Sequence, residues 1–195
     1  MDIEGIVLAA GFSKRAGIFK MELMIDNKTM IEHSIQGMYD ICSRIIVVGG
    51  YKIEIIKEIL KKYPKVDIIF NRNYKKGMFS SVKTGIQHIK SDKFFLLPGD
   101  VPFVKEAVYK KMLSIQGDIV IPSYKGRKGH PVLIKSYLIN EILAEPKNSN
   151  LKIFINKKGY TLAEVEDEAI LLDIDTLEDY KKAENKSYGS TLVRG

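Results

Sequence analysis

From residue 3 to residue 97 the chain alternates short apolar runs with stretches whose apolar positions recur every three or four residues. Ile3 to Ala10 is a continuous strand-like run that ends at Gly11. Thr29 to Asp40 has helical spacing, with Thr29 as N-cap and Ile31, Ile35 and Met38 on one face. Arg44 to Val48 is the next strand. Ile53 to Tyr63 is an amphipathic helix carrying Ile56, Ile59, Leu60 and Tyr63, and Pro64 stops it. Val66 to Phe70, Met78 to Ile89 and Phe94 to Leu97 continue the series as strand, helix and strand. Parallel strands need crossovers long enough to hold a helix, and such crossovers are right-handed. The alternation therefore predicts an α/β protein: a three-layer, doubly wound, mostly parallel sheet.

The second half is less regular. Val104 to Ile115 is expected to be a helix and Asp118 to Ile121 a strand. Ser123 to Lys135 reads as a hairpin with Gly126 and Gly129 at its turn, which adds a small antiparallel β extension. Helices follow around Ser136 to Leu143 and Asn150 to Asn156, then a late strand at Ala169 to Ile174 and a final helix at Thr176 to Ala183, capped by Thr176. No internal repeat or linker interrupts the pattern. One domain is expected over residues 1–185, with residues 186–195 as a C-terminal tail of no clear periodicity.

Composition narrows the function classes. With 45% hydrophobic and 28% charged residues over 195 positions, the chain is an ordinary globular protein with room for one proper core. No apolar run approaches the roughly 18 residues that cross a bilayer, and the acidic start Met1-Asp2-Ile3-Glu4 is unlike a secretory signal. Cytoplasmic localisation without membrane association is expected. A single cysteine, Cys42, leaves no internal disulfide and no cysteine-based zinc site. The net charge of +7 comes mainly from lysines spread along the chain. Without an Arg-rich arm or interleaved aromatics it reads as solvated faces compatible with small anions, not as a nucleic-acid surface.

In an open parallel sheet, ligands bind beyond the carboxyl ends of the strands. Three segments there carry chemistry. Leu8 to Lys20 breaks from a buried strand into a loop with two glycines, a serine and three cations. Small residues let backbone N–H groups approach phosphate oxygens while Arg15 and Lys20 neutralise charge; a flexible basic loop is the alternative. It is neither a Walker A loop nor a Gly-x-Gly-x-x-Gly turn. Leu96 to Pro102 delivers Asp100 to the sheet edge, either as a Mg²⁺ ligand or as a turn or capping aspartate. Leu172 to Thr176 presents Asp173 and Asp175, which strand alternation puts on one face; Asp175 can equally help cap the helix behind it. Ser80 and Ser81 open a helix, where they can bind phosphate or cap. His33 and His88 sit in helical patterns as surface or core residues, and Cys42 as a small buried hydrophobe.

Five segments in order then resemble the MobA-like NTP transferase family. Leu8 to Lys20 is similar to its Leu-x-Ala/Gly-Gly-x-Ser-x-Arg-Met-Gly-x-x-Lys motif. Asn71 to Ser81 resembles Asn-Pro-x-x-x-x-Gly-Met-x-x-Ser, Gly99 to Phe103 resembles Gly-Asp-x-Pro, and Gly129 to Leu133 resembles Gly-His-Pro-Val. Asp173 to Asp179 resembles the closing Asp-Ile-Asp-Thr-Pro-Glu-Asp. Ala16 stands where methionine is usual, and Arg72 and Leu177 where proline is common. Leu-Ala-Ala-Gly at the strand exit is most similar to the cytidylyltransferase branch for the molybdenum cofactor; the guanylyltransferase branch usually has Leu-Ala-Gly-Gly.

The resemblance implies the Rossmann-like nucleotide-diphospho-sugar transferase fold and Mg²⁺-dependent transfer of a nucleotide, CTP favoured, to a molybdopterin-type acceptor, with loss of pyrophosphate. It implies Arg15, Lys20 and Asp100 as catalytic residues, with Asp100 and Asp175 on the metal. Leu8, Ala9, Ala10, Gly11, Ser13, Arg15, Lys20, Asn71 and Ser81 would meet the nucleotide. Gly77, Met78, Ser80, His130 and Pro131 would meet the acceptor, although a backbone-bonded hairpin histidine fits His130 as well. A molybdenum hydroxylase is the implied recipient of product. A sugar- or polyol-phosphate nucleotidyltransferase and a non-catalytic maturation factor for molybdenum enzymes are the alternatives.

Overall fold

The computed structural model of the protein describes residues 2–12 and 18–191, with side chains to residue 184. Strand β1 (Ile3–Ala9) is followed by a short hairpin of β2 (Met24–Ile25) and β3 (Lys28–Thr29), helix α1 (Met30–Tyr39), β4 (Arg44–Gly49) and α2 (Ile53–Leu60). Next come β5 (Val66–Phe70), α3 (Met78–Ile86), β6 (Lys93–Pro98), α4 (Glu106–Leu113), β7 (Ile119–Tyr124), β8 (Arg127–Lys128) and β9 (Val132–Lys135). Helices α5 (Ile139–Ala144) and α6 (Leu151–Lys158), strand β10 (Thr161–Glu164) and α7 (Leu177–Thr191) complete the order.

The main sheet has the order β10-β7-β9-β6-β1-β4-β5, with β8 on β7. β1 lies parallel between β4 and β6, and β5 and β10 also pair in parallel; β9 runs against β6 and β7. The chain steps outward from β1 to β5, then returns across β1 to lay down β6. That reversal places the switch point at the carboxyl ends of β1 and β6, where open α/β sheets bind ligands.

Side-chain alternation along buried strands divides the interior into two cores. Val7, Ile45 and Leu97 pack with Ile31 and Ile35 of α1, Ile56 of α2 and Val108 of α4. Ile6, Leu8, Val48 and Leu96 pack with Val82 of α3, Ile142 of α5 and Phe154 of α6. The expected three layers are therefore present. At the head of α1, the Thr29 N–H donates to Glu32 Oε2 at 2.7 Å, and Tyr63 Oη donates to Oε1 at 2.9 Å. Burial by itself raises the Glu32 pKa. The Lys62 ammonium and the Thr29 and Tyr63 hydrogen bonds outweigh it and hold the carboxyl to about 2.

Four expectations need correction. The late strand at Ala169 to Ile174 is a 3-10 turn over Glu168–Leu171 followed by extended chain. Its backbone groups serve loops: Asp167 caps the Ala169 N–H, Ile170 O accepts from His130 N, and Ile174 N donates to Asp100 O. The strand beside β7 is instead β10, too short and polar to stand out by periodicity. The hairpin is confined to β7 and β8, turning at Lys125 and Gly126 with φ of 49° and 75°. Gly129 lies beyond that turn, where a Cβ would come within 2.3 Å of Ile170 O. Finally, α7 continues past Ala183 to Thr191 because each residue added to a nucleated helix gains a hydrogen bond. Among the described residues no helix is long and apolar enough to cross a membrane.

Candidate active site

A buried strand that ends abruptly exposes its last peptide groups at the sheet edge, and β1 and β6 do this side by side. Beyond them lies a cleft of about 440 Å³ lined by Leu8, Ala9, Ala10, Gly11, Phe12, Lys20, Met21, Tyr74, Lys75, Gly77, Met78, Ser81, Pro98, Asp100 and Asp175. The Gly99 N–H donates to Leu8 O at 2.9 Å and fixes the two strand exits against each other.

Lys20 is the electrostatic centre. Its stem is buried, and its ammonium donates to Asp100 Oδ2 at 3.2 Å, to Asp175 Oδ1 at 3.1 Å and to the Ile174 carbonyl at 2.8 Å. The Lys20 side chain is 8% exposed and the carboxylates 26% and 21%. Ile174 closes a knot, since its N–H donates to Asp100 O at 2.8 Å. Two carboxylates from distant segments thus face one cation at the switch point. Asp175 Oδ1 is turned to Lys20, and at the head of α7 the Thr176 N–H and hydroxyl donate to Asp179 Oδ2 while the Asp179 N–H donates to Thr176 Oγ1.

The second motif is organised from beneath. Asn71 is 1% exposed, donates through Nδ2 to Ser80 Oγ and Ser81 Oγ at 2.9 Å each, and accepts from the Asn73 N–H at 2.8 Å. It lies under the cleft and not on its wall. Ser80 turns inward, donating to Asn73 O and Gly77 O. Ser81, Gly77 and Met78 reach the cleft.

The cleft continues past Met78 and Pro98 into a groove of about 580 Å³ whose walls include Val82, Leu96, Ile121, Val132, Leu151 and Ile155, with Lys128 and His130 alongside. His130 follows β8 and precedes buried Pro131 through a cis peptide bond. Its Nδ1 is buried without a hydrogen-bond partner. Burial lowers the His130 pKa, against the opposing pull of the Asp100 and Asp173 charges. Asp173 and Asp175 both border the space between His130 and Asp100. Ser13 and Arg15 lie outside the described residues. Phe12, Tyr74 and Lys75 were not singled out by sequence reasoning, although their places inside two of the motifs were the available signal.

The sequence pattern of the MobA-like NTP transferase domain matches residues 5–162. The chain belongs to this family. It is a nucleotidyltransferase related to molybdenum cofactor cytidylyltransferases and guanylyltransferases. The Escherichia coli (strain K12) molybdenum cofactor cytidylyltransferase is 31% identical over 185 residues, covering 94% of this chain and 96% of that one. A Natranaerobius thermophilus protein named "Probable molybdenum cofactor guanylyltransferase" is 26% identical over 218 residues, covering 97% and 98%. The solved structure of a nucleotidyl transferase from Methanothermobacter has the same fold, with a TM-score of 0.83 and 20% identity, covering 97% and 99%. As a MobA-like transferase, the chain carries the family's ordered segments on the sheet edge that forms the cleft.

Proposed function

We propose that this transferase joins the nucleoside monophosphate part of CTP to a phosphorylated pterin acceptor of the molybdopterin type, with Mg²⁺ as cofactor and pyrophosphate as leaving group. The observation that carries the reading is the convergence of Asp100 and Asp175 on Lys20 at the switch point. The relatedness to cytidylyltransferases and the Ala10 methyl at the strand exit favour CTP.

The residues present fit a divalent cation. Among the described residues no cluster of three or more His, Cys, Asp or Glu could hold a metal alone, but Mg²⁺ typically takes one or two carboxylates and completes its shell with phosphates and water. Asp100 and Asp175 would hold it. When bound it supplies positive charge to the triphosphate oxygens. The acceptor brings its own ionised phosphate oxygen, which bonds to the α-phosphorus as the bond to the departing pyrophosphate oxygen breaks. No proton needs removing, so the chain's residues act by positioning and charge neutralisation. Lys20 adds a cation held at the cleft, and the charge of Arg15, expected from the first motif, would also serve the phosphates. Gly11 and the small residues before it let backbone approach the nucleotide closely.

The groove past Met78, with aliphatic walls for a ring face and polar side chains for its edges, can take a pterin acceptor. His130, Lys128, Asn150 and Asn156 border that groove. The test is pyrophosphate release with each nucleoside triphosphate, with and without molybdopterin. Release that needs CTP, Mg²⁺ and molybdopterin together is expected. Release driven by a sugar phosphate and not by molybdopterin would overturn the acceptor.

A further inference from the structure

The cleft lining combines a charged group, Lys20, Asp100 and Asp175, with two aromatic rings, Phe12 and Tyr74, and Lys75 stands beside Tyr74. Phe12 and Tyr74 lie with centroids 5.1 Å apart and planes tilted by 45°. Tyr51 backs Phe12 at 5.5 Å, and Phe70 flanks Tyr74 at 6.3 Å. These four residues come from the exits of β1, β4 and β5 and from the turn after β5, so the fold assembles the cluster.

Tyr74 is anchored from two sides. Its N–H donates to Asn71 O at 3.1 Å, and Asn71 is itself locked to Ser80 and Ser81. Behind the ring lies Gly50, where a Cβ would sit 2.6 Å from Tyr74 Cβ, 2.7 Å from its Cγ and 2.9 Å from Ala10 Cβ. The missing side chain at Gly50 is what lets the ring settle against the backbone beside Ala10. Phe12 and Tyr74 both still line the cleft. An aromatic pair lining the same cleft as Lys20, Asp100 and Asp175 matches a molecule that carries both a flat π-system and anionic oxygens.

We infer that Phe12 and Tyr74 form the platform on which the nucleobase stacks, with Tyr74 the principal ring. This deepens the nucleotidyl-transfer reading and rests on it. Stacking accepts any base because every base has a π-face. The platform therefore sets affinity for the nucleoside, while the choice of base falls to Ala10 and to hydrogen bonds.

Binding is measured by calorimetry with Mg²⁺ for two probes, CTP and inorganic tripolyphosphate, on wild type, Tyr74→Leu and Tyr74→Phe. Stacked bases are worth roughly a factor of 10 or more in affinity. Tyr74→Leu should bind CTP about 10-fold more weakly and tripolyphosphate as well as wild type does. Tyr74→Phe keeps the ring and should bind CTP within about twofold of wild type. The cytosine H6 resonance should move upfield on binding to wild type and Tyr74→Phe, and less on Tyr74→Leu. Equal weakening of both probes in Tyr74→Leu would show that the ring only braces the loop, and would overturn the inference. So would unchanged CTP affinity. If wild type binds no nucleoside triphosphate at all, the transfer reading itself falls, and the platform with it.

Discussion

Lys20→Ala removes the cation that two carboxylates share. Breaking a fully buried ion pair costs about 3–5 kcal/mol because a charge is left uncompensated, whereas exposed pairs contribute about 0–1. The Lys20 side chain is 8% exposed, but Asp100 and Asp175 keep 26% and 21% of their surface in solvent. The case lies between these limits, and about 2 kcal/mol is expected in metal-free buffer. For a chain of this length that is a fall of about 4–8 °C in Tm. The sequence suggested a loop cation that neutralises phosphates; the three hydrogen bonds of Lys20 add a share in fold stability. Mg²⁺ should narrow the gap, since it can neutralise the same carboxylates once the ammonium no longer competes. Turnover should fall by about 100-fold or more even in saturating Mg²⁺, as for loss of one group that stabilises transition-state charge. The assays are equilibrium urea unfolding with EDTA and with Mg²⁺, and pyrophosphate release. Unchanged unfolding free energy in EDTA would refute the shared-cation account, and wild-type turnover would refute the role in transfer.

Asp100→Asn should lower Mg²⁺-dependent pyrophosphate release by about 100-fold and shift the Mg²⁺ half-saturation upward; an unaltered Mg²⁺ titration would remove Asp100 from the metal site. Ala10→Gly should relax CTP-over-GTP selectivity without reversing it, because one methyl group discriminates by only about 1–3 kcal/mol. Competition binding at equal Mg²⁺ reads this, and a wild type that prefers GTP would sink the cytidylyl assignment. Glu32 has a folded pKa of about 2 against an unfolded value of about 4.3. A depressed carboxyl stabilises the fold above its unfolded pKa, and that contribution is lost as pH falls from about 5 towards 2. The shift is equivalent to roughly 3 kcal/mol at full strength, and solvent screening of the exposed Lys62 partner reduces it to about 2. Glu32→Gln should remove that much stability at pH 7 and flatten the acid limb of urea unfolding; an acid limb identical to wild type would refute it.

Much of the fold was legible because local and tertiary signals agree over the first hundred residues. The strand β5 lies at the expected bounds, Val66–Phe70, and α1 starts after Thr29 as its capping pattern requires. In β1, β4 and β6 the apolar runs are buried on both faces, so the pattern and the packing have one cause, while β5 at the sheet edge is only partly buried. Agreement fails where backbone hydrogen bonds are set by distant partners. Residues 169–174 have the apolar content of a strand, yet their amides are consumed by Asp167, His130 and Asp100. Nothing local in the sequence records that these loops compete for them. β10 has the reverse problem: it pairs four residues with β7 although only Ala163 among them is buried, so its periodicity is faint.

The candidate site was legible as a list of positions and not as a circuit. Periodicity placed Asp100 at the end of β6 and Lys20 in the loop after β1, whereas Asp175 was expected at the end of a strand that is a 3-10 turn and extended chain; the ordered motifs named all three. What spacing cannot encode is direction across 80 and 155 residues, which is the separation of Lys20 from its two carboxylates. The choice between a cation that grips phosphate and one that neutralises protein charge depends on burial. The Lys20 stem passes beneath the cleft floor, so its ammonium has carboxylates on hand whether or not substrate is bound. A site organised this way holds two like charges close together without substrate. That cost is tolerated only while a cation stands between them, whether it belongs to the protein or arrives with the nucleotide. Loss of Lys20 should therefore register as instability relieved by Mg²⁺ before it registers as lost chemistry, which is why metal-free and metal-loaded unfolding are the two conditions to compare.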